Sequence, residues 1–230
     1  MVNILTLDIP QLMVYPQTSY TSISKKWFAE MDRFFLSNYM SEKMQGLSVK
    51  HYWLNELIRG IFIDHQKRKM ARADTEFYPR DEHHHLQLLK TNVVCENIAA
   101  LTQELAYCLY FLKFIKDFNR CPDKKEPSES ITGLLVSKEL NNGFSDYESY
   151  LKLTGIIRNS YHINSIISTS SIMLTDENPV FFVVDKNEQI VKHSFQKFLE
   201  DYNAVFLLCM KNLHIHSPEA IAYSMERWIK

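Results

Sequence analysis

Apolar residues recur every three or four positions through most of this chain, and that spacing predicts helices. The first helix is expected from Ser22 or Ser24, either a suitable N-cap, to about residue 44. Trp27, Met31, Phe34, Phe35 and Leu36 form its stripe, and Gly46 is read as its stop. A second helix is expected over about 48–71, with Trp53, Leu54, Leu57, Ile58, Ile61 and Phe62 facing the core. Residues 74–80 read as a loop punctuated by Pro79. From about 81 to 120 the pattern is helical throughout, carried by Leu86, Leu89, Val93, Ile98, Leu101, Leu105, Leu109, Leu112 and Ile115. Residues 121–130 hold two prolines and many charges and read as an exposed loop. A short helix over 131–140 is closed by Asn141, Asn142 and Gly143, and another runs from Ser145 or Asp146 to about residue 167.

The texture then changes. Residues 172–174, 180–184 and 189–192 read as short strands, with turns at 176–179 and 185–188. A helix follows over about 194–212, and a last one starts at Ser217 with Pro218 in the favoured first position. Residues 3–9 alternate apolar and polar, as a short strand or extended arm does. The expected fold is mainly α: a helical bundle with a small late β-meander or hairpin. It is read as one helical domain over 1–230, with an arm at 1–20, a helical core at 22–167, strands at 171–192 and C-terminal helices at 194–230.

Composition narrows the function classes. With 46% hydrophobic and 23% charged residues in 230, the chain can bury a core. A net charge of −1 gives no global attraction to nucleic acid or membranes, so any RNA contact needs a local patch. The four cysteines, at 95, 108, 121 and 209, lie far apart without a CxxC pair. They read as reduced, buried thiols of a cytoplasmic protein rather than a zinc site. No signal peptide and no membrane span are expected. Phosphate-binding glycine loops, nucleophile elbows and zinc-protease motifs are missing from the sequence, and no cofactor is called for.

His83, His84 and His85 stand in a row, but consecutive helical residues point about 100° apart and cannot all bind one ion. They read as a solvated helix start, and His214 and His216 as loop, so no metal site is assigned. Lys67, Arg68, Lys69 and Arg72 form the strongest basic patch, with Lys50 and Arg59 on the same helix. It reads either as an RNA-backbone contact or as a solvated face. Tyr107, Tyr110, Phe111, Phe114 and Phe118 read as core packing.

One helix carries candidate chemistry, within residues 145–167. Arg158 and His162 are four apart and share a face, Gly155 lies one turn earlier, and Asn159 adds an amide. Histidine moves protons near neutrality, and arginine offsets charge on an attacked phosphate while staying protonated. That pairing suits metal-free cleavage of RNA, whose 2′-hydroxyl is the internal nucleophile. Alternatively, the two residues only cap or cross-link helices. The segment Ile156-Ile157-Arg158-Asn159-Ser160-Tyr161-His162-Ile163-Asn164 resembles the Arg-Asn-…-His motif of the HEPN superfamily. The resemblance implies a helical bundle working as a homodimer, with Arg158 as phosphate-binding residue, Asn159 beside it and His162 as catalytic histidine. It further implies a toxin or antiviral-defence effector, although some members of the superfamily are inactive. Three residues separate Arg158 from His162, where active members usually have four to six. The alternative class is a non-catalytic helical module that binds a protein partner or an antitoxin.

Overall fold

The computed structural model describes residues 8–14, 37–73, 82–118, 133, 135, 143–162, 177–184 and 189–213. Among these, 80% are helical. Helix α1 spans Ser37–Ala73, α2 spans Glu82–Phe118, α3 spans Glu148–His162 and α4 spans Phe195–Asn212. Strands β1 (Val180–Val184) and β2 (Ile190–Ser194) sit between α3 and α4 in the chain. The mainly α fold with a late hairpin is therefore as expected. The predicted helix segment 22–36, the loops at 74–80 and 121–130, the strand at 172–174 and the last helix lie outside the described residues.

Helix α1 runs unbroken through Gly46, where the sequence predicts a stop. A glycine inside a helix costs about 1 kcal/mol relative to alanine. Burial of Leu47, Ser48, His51 and Leu54 just beyond it outweighs that cost. Buried positions 47, 51, 54, 58, 61, 65 and 68 alternate by four and three along α1, which makes one continuous inward stripe. Three of them are His51, His65 and Arg68, so the stripe is not purely apolar. Trp53, expected in the core, is half exposed, because it falls outside this spacing.

In α2 the stripe is also shifted. Leu86 and Leu89 are exposed, while Gln87, Thr91, Val94 and Cys95 are buried. Polar residues are tolerated inside because they are bonded: Arg68 Nη1 donates to Gln87 Oε1 at 2.7 Å, and Thr91 Oγ1 donates to the Gln87 carbonyl at 2.8 Å.

The chain divides into two compact units. The first comprises Met1–Leu12, Trp53–Ala100 and Leu153–Tyr202. Its core combines Leu54, Ile58, Ile61 and Phe62 of α1 with Val94 and Ile98 of α2, Ile157 of α3, and an aromatic group from the hairpin and α4. There Phe181 meets Phe195 and Phe198 edge-on, at 6.3 and 5.3 Å between centroids, and Phe62 lies 6.0 Å from Phe195. Strands β1 and β2 pair antiparallel, with Phe181 opposite His193 and Val183 opposite Val191. Phe181 and Val183 point into the core, and Ile190 and Val191 are exposed. Helix α4 starts directly from β2: the Ser194 hydroxyl accepts the Lys197 N–H at 3.2 Å as an N-cap, and the Phe195 N–H donates to the Pro179 carbonyl.

The second unit comprises Met13–Tyr52, Leu101–Lys152 and Asn203–Lys230. Leu101, Leu105 and Leu109 of α2 are buried there, with Val205, Phe206 and Met210 of α4 and Leu151 of α3. Thr102 and Tyr150, both buried, share a hydroxyl hydrogen bond of 2.7 Å. Cys108 and Cys209 are free and buried, as is Cys95 in the first unit. Burial pushes the Cys95 and Cys209 thiols well up, which keeps them protonated and unreactive. The aromatic run at the end of α2 is only partly core: Phe114 is buried, but Tyr107 is 38% and Phe118 62% exposed. Among the described residues, no helix is long and apolar enough to cross a membrane.

Candidate active site

The helix that carries the candidate chemistry is prepared locally by its sequence. Gly143 adopts φ 93°, a left-handed conformation that glycine takes without steric cost. The chain then makes one 3-10 turn, Phe144–Tyr147, whose Phe144 is buried, and enters α3. Glu148 in the first turn suits the positive end of the helix and pairs with Lys152 at 2.6 Å.

Further along α3, in the first unit, Thr154 and Ile157 are buried. Arg158 and Asn159 are exposed. A Cβ placed on Gly155 would meet nothing within 4 Å. Positions 155, 158, 159 and 162 follow the i, i+3, i+4, i+7 spacing of a single helical face. Arg158 forms no ion pair with another described residue. Its side chain is exposed. His162 is placed by its backbone as the last residue of α3.

The basic patch on α1 is thinner than its sequence suggests. Lys67 is exposed and Lys69 is half-buried. Arg68 is 8% exposed and engaged with Gln87, so it is turned inward by the same four-three stripe that buries Ile61 and His65. Arg72 is placed by its helical backbone alone. Of the two outlying cations, Lys50 pairs with Glu104 at 3.6 Å and Arg59 with Glu56 at 3.5 Å. Exposed pairs of this kind contribute little to stability, but they reduce the charge offered to a phosphate backbone.

Among the described residues, no group of three His, Cys, Asp or Glu side chains is placed to hold a metal ion. His85 is exposed, and His214 and His216 lie outside the described residues.

Sequence reasoning passes over several polar residues that the fold puts to use. His51, Asn55 and Asn203 bind backbone groups of residues 12 and 13. Lys90 reaches Asp64 at 2.6 Å. The signal for them in the sequence is their position: His51, Asn55 and Asp64 sit on or beside the inward stripe of α1, where a polar residue must find a partner. No family model, curated protein or solved structure matches the chain.

Proposed function

We propose that the protein is a HEPN-like, metal-independent endoribonuclease, with Arg158 and His162 of α3 as its working pair and Asn159 as a polar neighbour. The observation that carries this reading is the exposed Arg158 beside the open backbone of Gly155. An exposed arginine with no ion pair among the described residues, next to a position with no side chain, supports a role in binding an external phosphate.

The chemistry needs only these groups. The 2′-hydroxyl of a ribose attacks the adjacent phosphorus, and its proton passes to a base. The P–O5′ bond breaks as the new O2′–P bond forms, and the leaving oxygen takes up a proton. The products are a 2′,3′-cyclic phosphate and a free 5′-hydroxyl. Histidine serves in the proton transfers, and arginine stabilises the charge that builds on the phosphoryl oxygens. Lys67 and Lys69 would then hold neighbouring phosphates. The resemblance extends the proposal to a homodimer acting as a toxin or in antiviral defence in the cytoplasm. The test is to incubate the full chain with mixed RNA in EDTA and analyse the ends of any fragments. Cyclic phosphate ends from the wild type, and intact RNA with Arg158→Ala, are expected; intact RNA with both proteins contradicts the proposal.

A second reading rests on a different observation. Val49, Tyr52 and Trp53 of α1 are 58%, 66% and 50% exposed. Exposed aromatic residues of this kind are common anchors of protein interfaces. They favour a non-catalytic helical module that binds a protein partner, and a pull-down lost on Tyr52→Ser without loss of fold would support it.

A further inference from the structure

The hairpin is a two-stranded sheet, and its hydrogen-bond pattern fixes which main-chain groups lie on its edges. The Phe195 N–H donates to the Pro179 carbonyl at 3.0 Å, one step beyond the Val180–Ser194 pair. Antiparallel ladders alternate between bonded and non-bonded pairs, so the bonded pairs are Phe181–His193 and Val183–Val191. The N–H and C=O groups of Val180, Phe182 and Val184 therefore point away from β2, along the outer edge of β1. Among the described residues, no other strand pairs with them.

The two strands differ in chemistry. β2 carries Lys192 and passes after Ser194 directly into α4, and a lysine on an edge strand discourages pairing with another chain. β1 reads Val-Phe-Phe-Val-Val, without a charge, a proline or a glycine. Phe181 and Val183 are buried against the core, and Val180, Phe182 and Val184 are half-buried on the opposite face. Ile190, cross-strand from Val184 on that same face, is 72% exposed.

The edge of β1 also matches itself. A five-residue strand whose middle residue points its main chain outward can pair with an identical strand about a two-fold axis through that residue. Phe182 then exchanges both of its bonds with Phe182 of a second copy, and Val180 does so with Val184 of that copy. Each side-chain pair formed is apolar, no like charges meet, and every outward main-chain group finds a partner. We propose that the outer edge of β1 is a homodimer interface, in which the β1 strands of two copies pair antiparallel about Phe182 and make one four-stranded sheet. The pairing uses up the β1 edge of both copies, so it closes at two. A five-residue edge is small beside a standard interface, and the dimer is expected to dissociate in the micromolar range. The surface includes no residue of α3 and stands whether or not Arg158 and His162 cleave RNA.

The test is sedimentation velocity of the full chain over about 1–200 µM, in which monomer should pass to dimer. Phe182→Lys and Phe182→Glu each set two like charges opposite one another, and each alone should weaken dimerisation about tenfold or more. An equimolar mixture of the two variants should recover dimers, because a lysine then faces a glutamate. Loss in each variant and recovery on mixing cannot come from misfolding. Hydrogen exchange of the wild type needs no variant: the Val180, Phe182 and Val184 amides should gain protection as concentration rises, while those of Phe181 and Val183 are protected throughout. A wild type that stays monomeric at the highest concentration would overturn the proposal. So would a dimer that neither variant weakens, a mixture of the folded variants no more dimeric than its components, or exchange at the three outward amides that ignores concentration. Assemblies larger than a dimer would also overturn it, because the edge would then add strands without closing.

Discussion

Lys90 reaches the Asp64 carboxylate, 2.6 Å away, by crossing over Gly60: a Cβ at position 60 would lie 2.9 Å from Lys90 Nζ and 3.4 Å from its Cδ and Cε. The glycine leaves room for the lysine stem between α1 and α2, and the ion pair spans one turn of α1 beyond it. Two effects oppose each other in Gly60→Ala. Alanine favours the helix by about 1 kcal/mol, and the lysine must shift by a few tenths of an ångström. Its end is flexible, so the pair can persist at a slightly longer distance, and the net change in unfolding free energy should stay under about 1 kcal/mol. Lys90→Met is different, because it leaves a carboxylate that is 8% exposed without its cation. A loss of roughly 2 kcal/mol is expected, below the usual range for a fully buried pair because Lys90 retains some solvent access. Urea denaturation of the two variants checks the order, and a larger loss in Gly60→Ala would contradict the account.

Two other glycines should respond with opposite sign. Gly46 lies inside α1, and a methyl group at its Cβ position would meet nothing within 4 Å, so Gly46→Ala should stabilise by up to about 1 kcal/mol. Gly143 has φ 93°, and although Leu208 Cδ2 is a tolerable 3.6 Å from a Cβ there, the backbone disfavours any L side chain. Gly143→Ala should destabilise by about 1 kcal/mol. Thermal melts of both single variants test the contrast, and a stabilising Gly143→Ala would mean that the turn into α3 relaxes freely.

Acid should weaken the protein through His51. Burial lowers its pKa from 6.5 to about 4, against a smaller raising effect of the Met13 carbonyl and with a lowering contribution from Lys50. Its ring also meets Phe206 edge-on at 4.8 Å. The neutral form is the one that folding favours, so the unfolded chain binds more protons between these two values. The stabilisation is fully present above pH 6.5 and is lost as pH falls toward 4, by roughly 3 kcal/mol in all. Carboxylates add their own dependence, so the informative comparison is with His51→Gln. Its unfolding free energy should vary less with pH between 6.5 and 4, by up to one proton's worth of slope. Identical slopes would show that His51 binds its proton equally well in the folded and unfolded chain.

How far the sequence foretells this structure depends on whether buried positions are apolar. The hairpin and α4 are legible: β1 falls at 180–184 as its apolar run suggests, and the Phe195, Phe198, Leu199, Tyr202 series repeats at helical spacing with Ser194 as its cap. The stripes of α1 and α2 are legible only in part. Gln87, Thr91, His51 and Arg68 occupy inward positions, and the apolar Leu86, Leu89 and Trp53 beside them point outward. A rule that sends apolar residues inside misassigns both sets. Gly46 misleads for a related reason: its local cost is small beside the burial on the following turn. The bonding of Asn55 to the Leu12 backbone is not legible, since its partner is 43 residues away in sequence. At the candidate site, the shared face of positions 155, 158, 159 and 162 follows from spacing, but the exposure of Arg158 depends on which side of α3 meets the core.

Activity and stability should separate at Arg158. The residue is exposed and has no ion pair with a described residue, so Arg158→Ala should leave the melting temperature nearly unchanged. Cleavage should nonetheless fall by about two to three orders of magnitude, the usual effect of removing a preorganised donor to developing charge. His162→Ala should cost roughly two to four orders, because proton transfer loses its positioned group. Arg158→Lys should restore little, since a point charge lacks the planar fork that meets two phosphoryl oxygens at once. Asn159→Ala should act more mildly than either. Single-turnover rates on a short RNA, measured beside melting curves, distinguish this pattern from a structural one, in which both variants melt earlier and the wild type cuts nothing. Full activity in His162→Ala would exclude the mechanism, and cleavage that stops in EDTA would direct attention instead to a metal bound by residues such as His83, His84 and His85.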